Sequence, residues 1–231
     1  MTPSFSVVIP VLNESLVINK TIRHIRSIAR EVECEIIVVD GDPEGGTLSS
    51  VEDPSVKKIV SPSGRGIQMN RGAAAAGNDI LLFLHADTEL PVEAFLQIAS
   101  VIENKSAGGG AFALGIAAER FIFRLIENMV SLRTRITGIP YGDQAIFIRK
   151  DCFIEAGGFR EIPIMEDVEF MKRIRRSGLR VSFIPVKVKT SPRRWEKEGV
   201  LTCTLRNWML IILYHLGVPP ERLVKFYYRQ R

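Results

Sequence analysis

Cysteine is scarce in this 231-residue chain. Cys34, Cys152 and Cys203 lie far apart, are odd in number and match neither a disulfide framework nor zinc-ligand spacing. A stapled secreted scaffold is thereby disfavoured, and a reducing, cytoplasmic setting is expected. Long apolar runs are also lacking. The opening MTPSFSVVIP has no basic start followed by a long apolar core, so no signal peptide is expected. The run WMLIILY at 208–214 is too short to span a bilayer. Several signatures are absent. SGRGIQMNRG does not have the G-x-G-x-x-G spacing, there is no G-x-x-x-x-G-K-[ST], and there is no G-x-S-x-G elbow. Dinucleotide oxidoreductases, P-loop NTPases and nucleophile-elbow hydrolases are therefore poorly supported. No zinc-finger pattern, RNA-binding signature or basic heptad points to nucleic acid, and there is no internal repeat or low-complexity linker.

What is present is an ordinary globular composition, 46% hydrophobic and 25% charged, with a core large enough to stand without staples. The net charge of +5 hides an asymmetry: from Lys172 onward 15 Lys and Arg face 3 acids, whereas the rest has 16 against 23. The common explanation of such a basic tail is a solvated surface. The sharper one is contact with phosphates, of a substrate or of a membrane surface.

Short apolar runs alternate with amphipathic stretches. FSVVIP, EIIVV, VKKIV and ILLFL read as strands. Between the first two, Ile18, Ile22, Ile25 and Ala29 recur at helical spacing, which predicts a helix over roughly 14–30 capped by Asn13. GRGIQMNRGAAAAG and PVEAFLQIASVIE predict two more helices. This rhythm predicts an α/β fold with a mostly parallel sheet between helical layers. In the second half, GGGAFALGI, QAIFIRK, LRVSFIP and VKVKT read as strands. A helix near 119–136 carries Phe121, Leu125, Met129, Leu132 and Ile136 on one stripe, and EDVEFMKRIRRSG is a helix stopped by Gly178. The end of the chain predicts two helices broken at GVPP, packed on the core or on a partner copy, with an interfacial membrane helix as the competing reading.

In an open parallel sheet, ligands bind beyond the carboxyl ends of the strands. Here the first strand leads from Pro10 to Asn13 and Glu14, the second ends at Asp40 in VVDGDPEGG, and the fourth runs into His85 and Asp87 in LLFLHADTELP. Hard divalent cations take one or two carboxylates and complete their shell with phosphate and water. Asp87 suits that task. His85, two residues away and aimed the same way by strand alternation, would be a softer second ligand favouring Mn²⁺. Asp40 and Asp42 read equally well as loop residues. Glu166 and Asp167 open a helix. There they can cap its amides, or Asp167 can serve as a general base.

Five segments in order, SVVIPVLNE, EIIVVDGDPEGGT, LLFLHADTELP, YGDQAIFIRKDCFIEAGGF and MEDVEFMKRIRRSG, resemble family 2 glycosyltransferases, in particular their small soluble bacterial members. The resemblance covers roughly 4–190. It implies a GT-A fold with a nucleotide-binding half and an acceptor half over 1–190, followed by a basic helical extension, 191–231, packed on it. It also implies an inverting enzyme that uses a nucleotide-diphosphate sugar and a divalent metal, Mn²⁺ or Mg²⁺. By similarity, Pro10, Asn13 and Glu14 line the nucleotide pocket, with Asp42 beside them, and Asp40 meets base or ribose. Asp87 is the metal-binding aspartate, with His85 at the other D-x-D position. Asp167, beside Glu166, is the base. Arg65, Arg71, Arg193 and Arg194 are candidates to meet the diphosphate, Trp195 to close over it, and Tyr141 and Asp143 to face the acceptor or the donor sugar. Ser191 stands where processive members carry Gln, which argues for transfer of a single sugar. The acceptor is open. The basic, apolar tail makes a lipid-linked acceptor, peripheral contact with the inner membrane face, or a homodimer natural expectations. Two other readings compete: a sugar-phosphate nucleotidyltransferase, disfavoured because PVLNES is not a glycine-rich basic loop, and a non-catalytic nucleotide-sugar binder.

Overall fold

The computed structural model describes residues 3–103 and 107–228. Strand β1 (Phe5–Val11) lies inside the sheet, between β2 (Cys34–Asp40) and β4 (Ile80–Phe83). Its pleat sends Phe5, Val7 and Ile9 into one core and Val8 into another on the opposite face. A strand covered on both faces needs apolar residues at every position, which explains the unbroken SVVIPV. With β3 (Lys57–Val60) outside β2, these four strands are parallel. Beyond β4 the sheet becomes mixed. β7 (Phe147–Arg149) is antiparallel to both β4 and β6 (Ala107–Ile116), β8 (Arg180–Thr190) is parallel to β6, and β5 (Thr88–Glu89) closes the edge antiparallel to β8. LRVSFIP and VKVKT are thus one strand, interrupted only by a register shift opposite Phe112/Ala113.

The first core is covered by α1 (Ile18–Ile28) and α4 (Ala94–Glu103), the second by α3 (Arg65–Ala75), α6 (Lys150–Glu155) and α7 (Glu166–Arg176). Helix α3 can approach only because of Gly72, where a Cβ would stand 2.3 Å from Cγ1 of Val8. The short α2 (Gly46–Ser49) sits in the loop after β2. Helix α1 starts four residues later than its periodicity predicts. Asn13 does not cap it, because Asn13 adopts a left-handed φ of 58° within the loop and Val17 holds the cap position.

Helix α5 (Phe121–Thr137) buries Phe123 and Ile126, whereas its predicted apolar stripe faces outward, with Phe121 82% and Ile136 72% exposed. The C-terminal segment forms α8 (Arg193–Glu198), α9 (Val200–His215) and α10 (Pro220–Tyr228), with the expected break between the last two. Leu210 of α9 and Leu223 of α10 are buried against Ile164, and Met165 packs on the same cluster. The hairpin of α9 and α10 therefore braces the entry to α7. Among the described residues no helix is long and apolar enough to cross a membrane.

Candidate active site

Strands β1, β2 and β4 end at one rim, and a buried side chain holds two of them there. Gln68 of α3 donates from Nε2 to the carbonyls of Val11 and Val39, both at 2.8 Å, where the strands stop pairing with each other. Asp40, fully buried, receives the amide of Asp42 on Oδ1 (3.0 Å) and that of Thr47 on Oδ2 (2.9 Å). Asp42 in turn accepts the amides of Glu44 and Gly46 at 3.1 and 3.3 Å. Both acids are thus occupied in building the loop 41–47, the arrangement that Asx turns favour. That loop is joined to the first one by the Glu14 amide donating to Thr47 Oγ1 (3.1 Å).

Strand β4 stops at Phe83, so His85 and Asp87 lie in the turn that follows, where strand alternation does not apply. They face different neighbours. The carboxylate of Asp87 meets Arg193 Nη2 at 3.3 Å, and the same guanidinium grips Glu14 with two bonds of 3.0 and 2.9 Å. The connection is built by the sheet edge: Thr88 pairs with Thr190, and the Ser191 amide donates to the Asp87 carbonyl (3.2 Å), which carries Arg193 to the rim. Burial raises the pKa of Asp87. Arg193 opposes that effect and Glu14 adds to it. Two acids sharing one cation, one of them short of solvent, form a donor set suited to a hard divalent ion that draws its remaining ligands from phosphate and water. Among the described residues no group of three or more His, Cys, Asp and Glu converges as a ready-made metal cage.

His85 faces the second constellation. A Cβ added to Gly142 would lie 3.3 Å from His85 Nε2 and 3.2 Å from Asp167 Oδ2, so the three meet at one point. Asp167 accepts the Gly142 amide on Oδ2 (2.6 Å) and the Val168 amide on Oδ1 (2.7 Å). Met165, just before, is held at a left-handed φ of 68°, which turns Glu166 and Asp167 inward. Asn13, Ala145 and Met165 are the three non-glycine residues with such a conformation among those described. All flank the rim, as expected where local strain serves a site. Pro10, Met69, Phe159 and Glu166 enclose a space of about 10 Å³ beside His85 and Asp167, room for about one water.

The electrostatics set the groups apart. Burial, followed by the charge of Arg65, pushes the His85 pKa down to about 3, so the ring is neutral. Burial, with Asp167 adding to it, raises Glu166 to about 7 and Asp143 to about 6. Oδ1 of Asp143 is buried without a hydrogen-bond partner. Arg65, at the first turn of α3, acts on His85, Asp87, Asp143 and Glu166 alike. Tyr141 lies beneath the Arg133 guanidinium, 3.3 Å from its ring centre, and its amide donates to Gln144 Oε1 (3.0 Å).

Three residues expected near the diphosphate are engaged elsewhere. Arg71 reaches the Val60 carbonyl on β3 at 3.4 Å. Arg194 bonds the Tyr227 hydroxyl and Glu198, and Trp195 packs edge-on against Phe123 with ring centres 6.0 Å apart. In RRW it is the first arginine that reaches the rim. Gln68, Thr47 and Gln144 were missed by sequence reasoning. Nothing in the composition marks a glutamine that bonds carbonyls 29 and 57 residues away.

The glycosyl transferase family 2 profile matches residues 6–160. The probable glycosyltransferase YdaM of Bacillus subtilis (strain 168) is 24% identical over 221 residues, covering 85% of this chain and 51% of that protein, so the chain spans about half the length of this relative. Among solved structures, glucosyl-3-phosphoglycerate synthase from Mycobacterium tuberculosis, in complex with Mn²⁺, UDP and phosphoglyceric acid, superposes with a TM-score of 0.65 at 16% identity, over 94% of this chain and 80% of that one. The mannosyltransferase PcManGT from Pyrobaculum calidifontis, in complex with GDP-Man and Mn²⁺, gives 0.61 at 20% identity, over 82% and 57%. The architecture is that of GT-A enzymes.

Proposed function

This chain belongs to glycosyl transferase family 2, and from that premise we propose that it moves a single sugar from a nucleotide-diphosphate donor to an acceptor hydroxyl with inversion, Asp167 acting as base. The observation that carries this reading is the meeting of His85, Gly142 and Asp167 next to the rim where Glu14 and Asp87 share Arg193. The nucleotide sugar and the Mn²⁺ of the mannosyltransferase complex, with the UDP and Mn²⁺ of the synthase complex, support a nucleotide-sugar donor and a divalent cation here.

The loops carrying Pro10, Asn13, Glu14 and 41–47 form the nucleotide side, with Asp40 and Asp42 shaping the second loop. Asp87, beside Glu14, holds the cation, which when bound supplies Lewis-acid stabilisation of the departing diphosphate. Arg193 and Arg65 add fixed positive charge on the same side. Arg71, Arg194 and Trp195 leave the donor site in this reading. On the opposite side Asp167, oriented by the Gly142 amide, takes the proton of the acceptor hydroxyl. The acceptor oxygen bonds the anomeric carbon as the carbon–oxygen bond to the diphosphate breaks. Neutral His85 lies beside the base and adds no charge there. Tyr141 and Asp143 face the sugar being passed.

Calorimetry with a panel of nucleotide sugars, with and without Mn²⁺, followed by transfer assays and NMR of the product anomer, tests this. Metal-dependent binding of one donor that Asp87→Ala weakens, and an inverted product, are expected. A retained configuration, or Asp87→Ala binding and transferring as the parent does, would overturn it.

A further inference from the structure

A second basin lies away from the rim, and its charges are unbalanced. It has a volume of about 370 Å³, within the range of small-molecule sites. Its floor is the outer face of α7 with Arg160, and its wall is Tyr214 and the turn 217–220 between α9 and α10. Four cations, Arg160, Lys172, Arg173 and Arg176, face one acid, Glu169.

That acid is already neutralised. Arg160 pairs with it at 3.2 Å and Arg173 at 2.9 Å, and Arg173 is further fixed to the carbonyls of Ala156 and Gly158. Among the described residues no carboxylate forms an ion pair with Lys172 or Arg176. Lys172 instead lies over the Tyr214 ring, 4.9 Å from its centre. Burial and then the charge of Arg176 depress the Lys172 pKa. Basic residues in a last helical turn complement the helix dipole, which accounts for Arg173, Arg176 and Arg175, the last bonded to the Thr137 carbonyl. It does not account for Lys172, which lies a turn earlier. The wall is different in kind. Pro219 and Pro220 have no amide hydrogen and a fixed φ, so this side is stiff and apolar. An occupant therefore needs an anionic group at one end and a carbon body at the other.

The basin and the proposed base are carried by the same helix. Lys172 is five residues from Asp167, about 7.5 Å along the helix axis and about 140° around it. Tyr214 and Met165 both pack against the cluster of Ile164, Leu210 and Leu223.

We infer that this basin is an anion site that holds the phosphate of a phosphomonoester acceptor. The word acceptor rests on the glycosyl-transfer reading; the anion site does not. The phosphate could be carried by a soluble polyol or sugar phosphate, or by a lipid, and the test separates these sources.

The full chain, its Lys172→Gln/Arg176→Gln double variant and its Asp87→Asn variant are titrated with inorganic phosphate, glycerol 3-phosphate and glycerol. They are also floated with phosphatidylcholine vesicles that contain or lack phosphatidic acid. The expected result is binding of a phosphate-bearing probe and not of glycerol, weakened at least about tenfold in the double variant and retained in Asp87→Asn. Binding to phosphatidic acid vesicles alone, lost in the double variant, would assign the phosphate to a lipid. No binding of any phosphate probe, equal binding by the double variant, or loss confined to Asp87→Asn would each overturn the inference. Phosphate binding with no sugar transfer from any donor would count against the glycosyl-transfer reading and leave the anion site standing.

Discussion

At its first turn α7 carries Glu166 and Asp167, and from its fourth residue before the end it carries Lys172 and Arg176, so one rigid helix presents opposite charges to two basins. The acidic end is closed. Glu166 is buried and Asp167 half-buried around a space for about one water, and burial, with the charge of Asp167 adding to it, raises the pKa of Glu166 to about 7. The basic end is open, and burial, with the charge of Arg176 adding to it, pushes the Lys172 pKa down. Each end lacks what the other has, and the helix keeps them apart. The difference teaches that unbalanced charge in this fold is placed, by Met165 on one side and by the hairpin of α9 and α10 on the other, where a substrate can supply the balance.

The comparison can be broken hardest at the acidic end. Asp167→Asn keeps the shape and removes the proton acceptor, so turnover should fall about 10²–10⁴-fold with donor affinity unchanged in calorimetry. Next comes the structure both ends share. Leu223 is fully buried against Ile164 and Leu210. Leu223→Ala should cost about 3 kcal/mol in urea unfolding, and phosphate binding and turnover should decline together, because the hairpin supports both basins.

A smaller effect separates the two ends by pH. The folded-state pKa of Glu166 is raised, so between its unfolded value of about 4.5 and about 7 the folded protein holds the extra proton. Stability contributed by the protonated acid is complete below that window, falls as pH rises through it and is gone above. Glu166→Gln should therefore stabilise the chain by on the order of 2 kcal/mol at pH 8 and hardly at all at pH 4.5, read from thermal unfolding at both values. The smallest effect sharpens the geometry. A methyl on Gly142 would crowd Asp167 and His85 at 3.2 and 3.3 Å. Gly142→Ala should lower kcat about tenfold with little change in melting temperature.

The nucleotide half was legible because its physics is local. Doubly covered parallel strands must be apolar at each position, and FSVVIP, EIIVV and ILLFL declare themselves. The strand ends then point to Glu14, Asp40 and Asp87. The second half was harder to read. VKVKT and LRVSFIP look like two strands because Pro185 interrupts a run that the sheet absorbs as a bulge. The role of Arg193, in place of Arg194, depends on which way a short helix turns once Ser191 is tied to Asp87. No local pattern encodes that. The stripe of α5 shows the reverse limit: periodicity identifies an apolar face and does not say whether the fold covers it. The basic excess after Lys172 was visible as composition, and only the folding back of Tyr214 onto α7 turns part of it into a concave surface.

The grip of Arg193 on Glu14 and Asp87 also dictates how the rim can be filled. With that guanidinium already balancing both acids, the resting enzyme offers a bare divalent ion little net attraction. In the proposed function a diphosphate would give Arg193 a stronger partner, and Glu14 and Asp87, once freed from it, would be the residues to hold a divalent ion. Ion and donor would then exchange counter-charges with the rim, and each should be found to tighten the other's hold by the same factor.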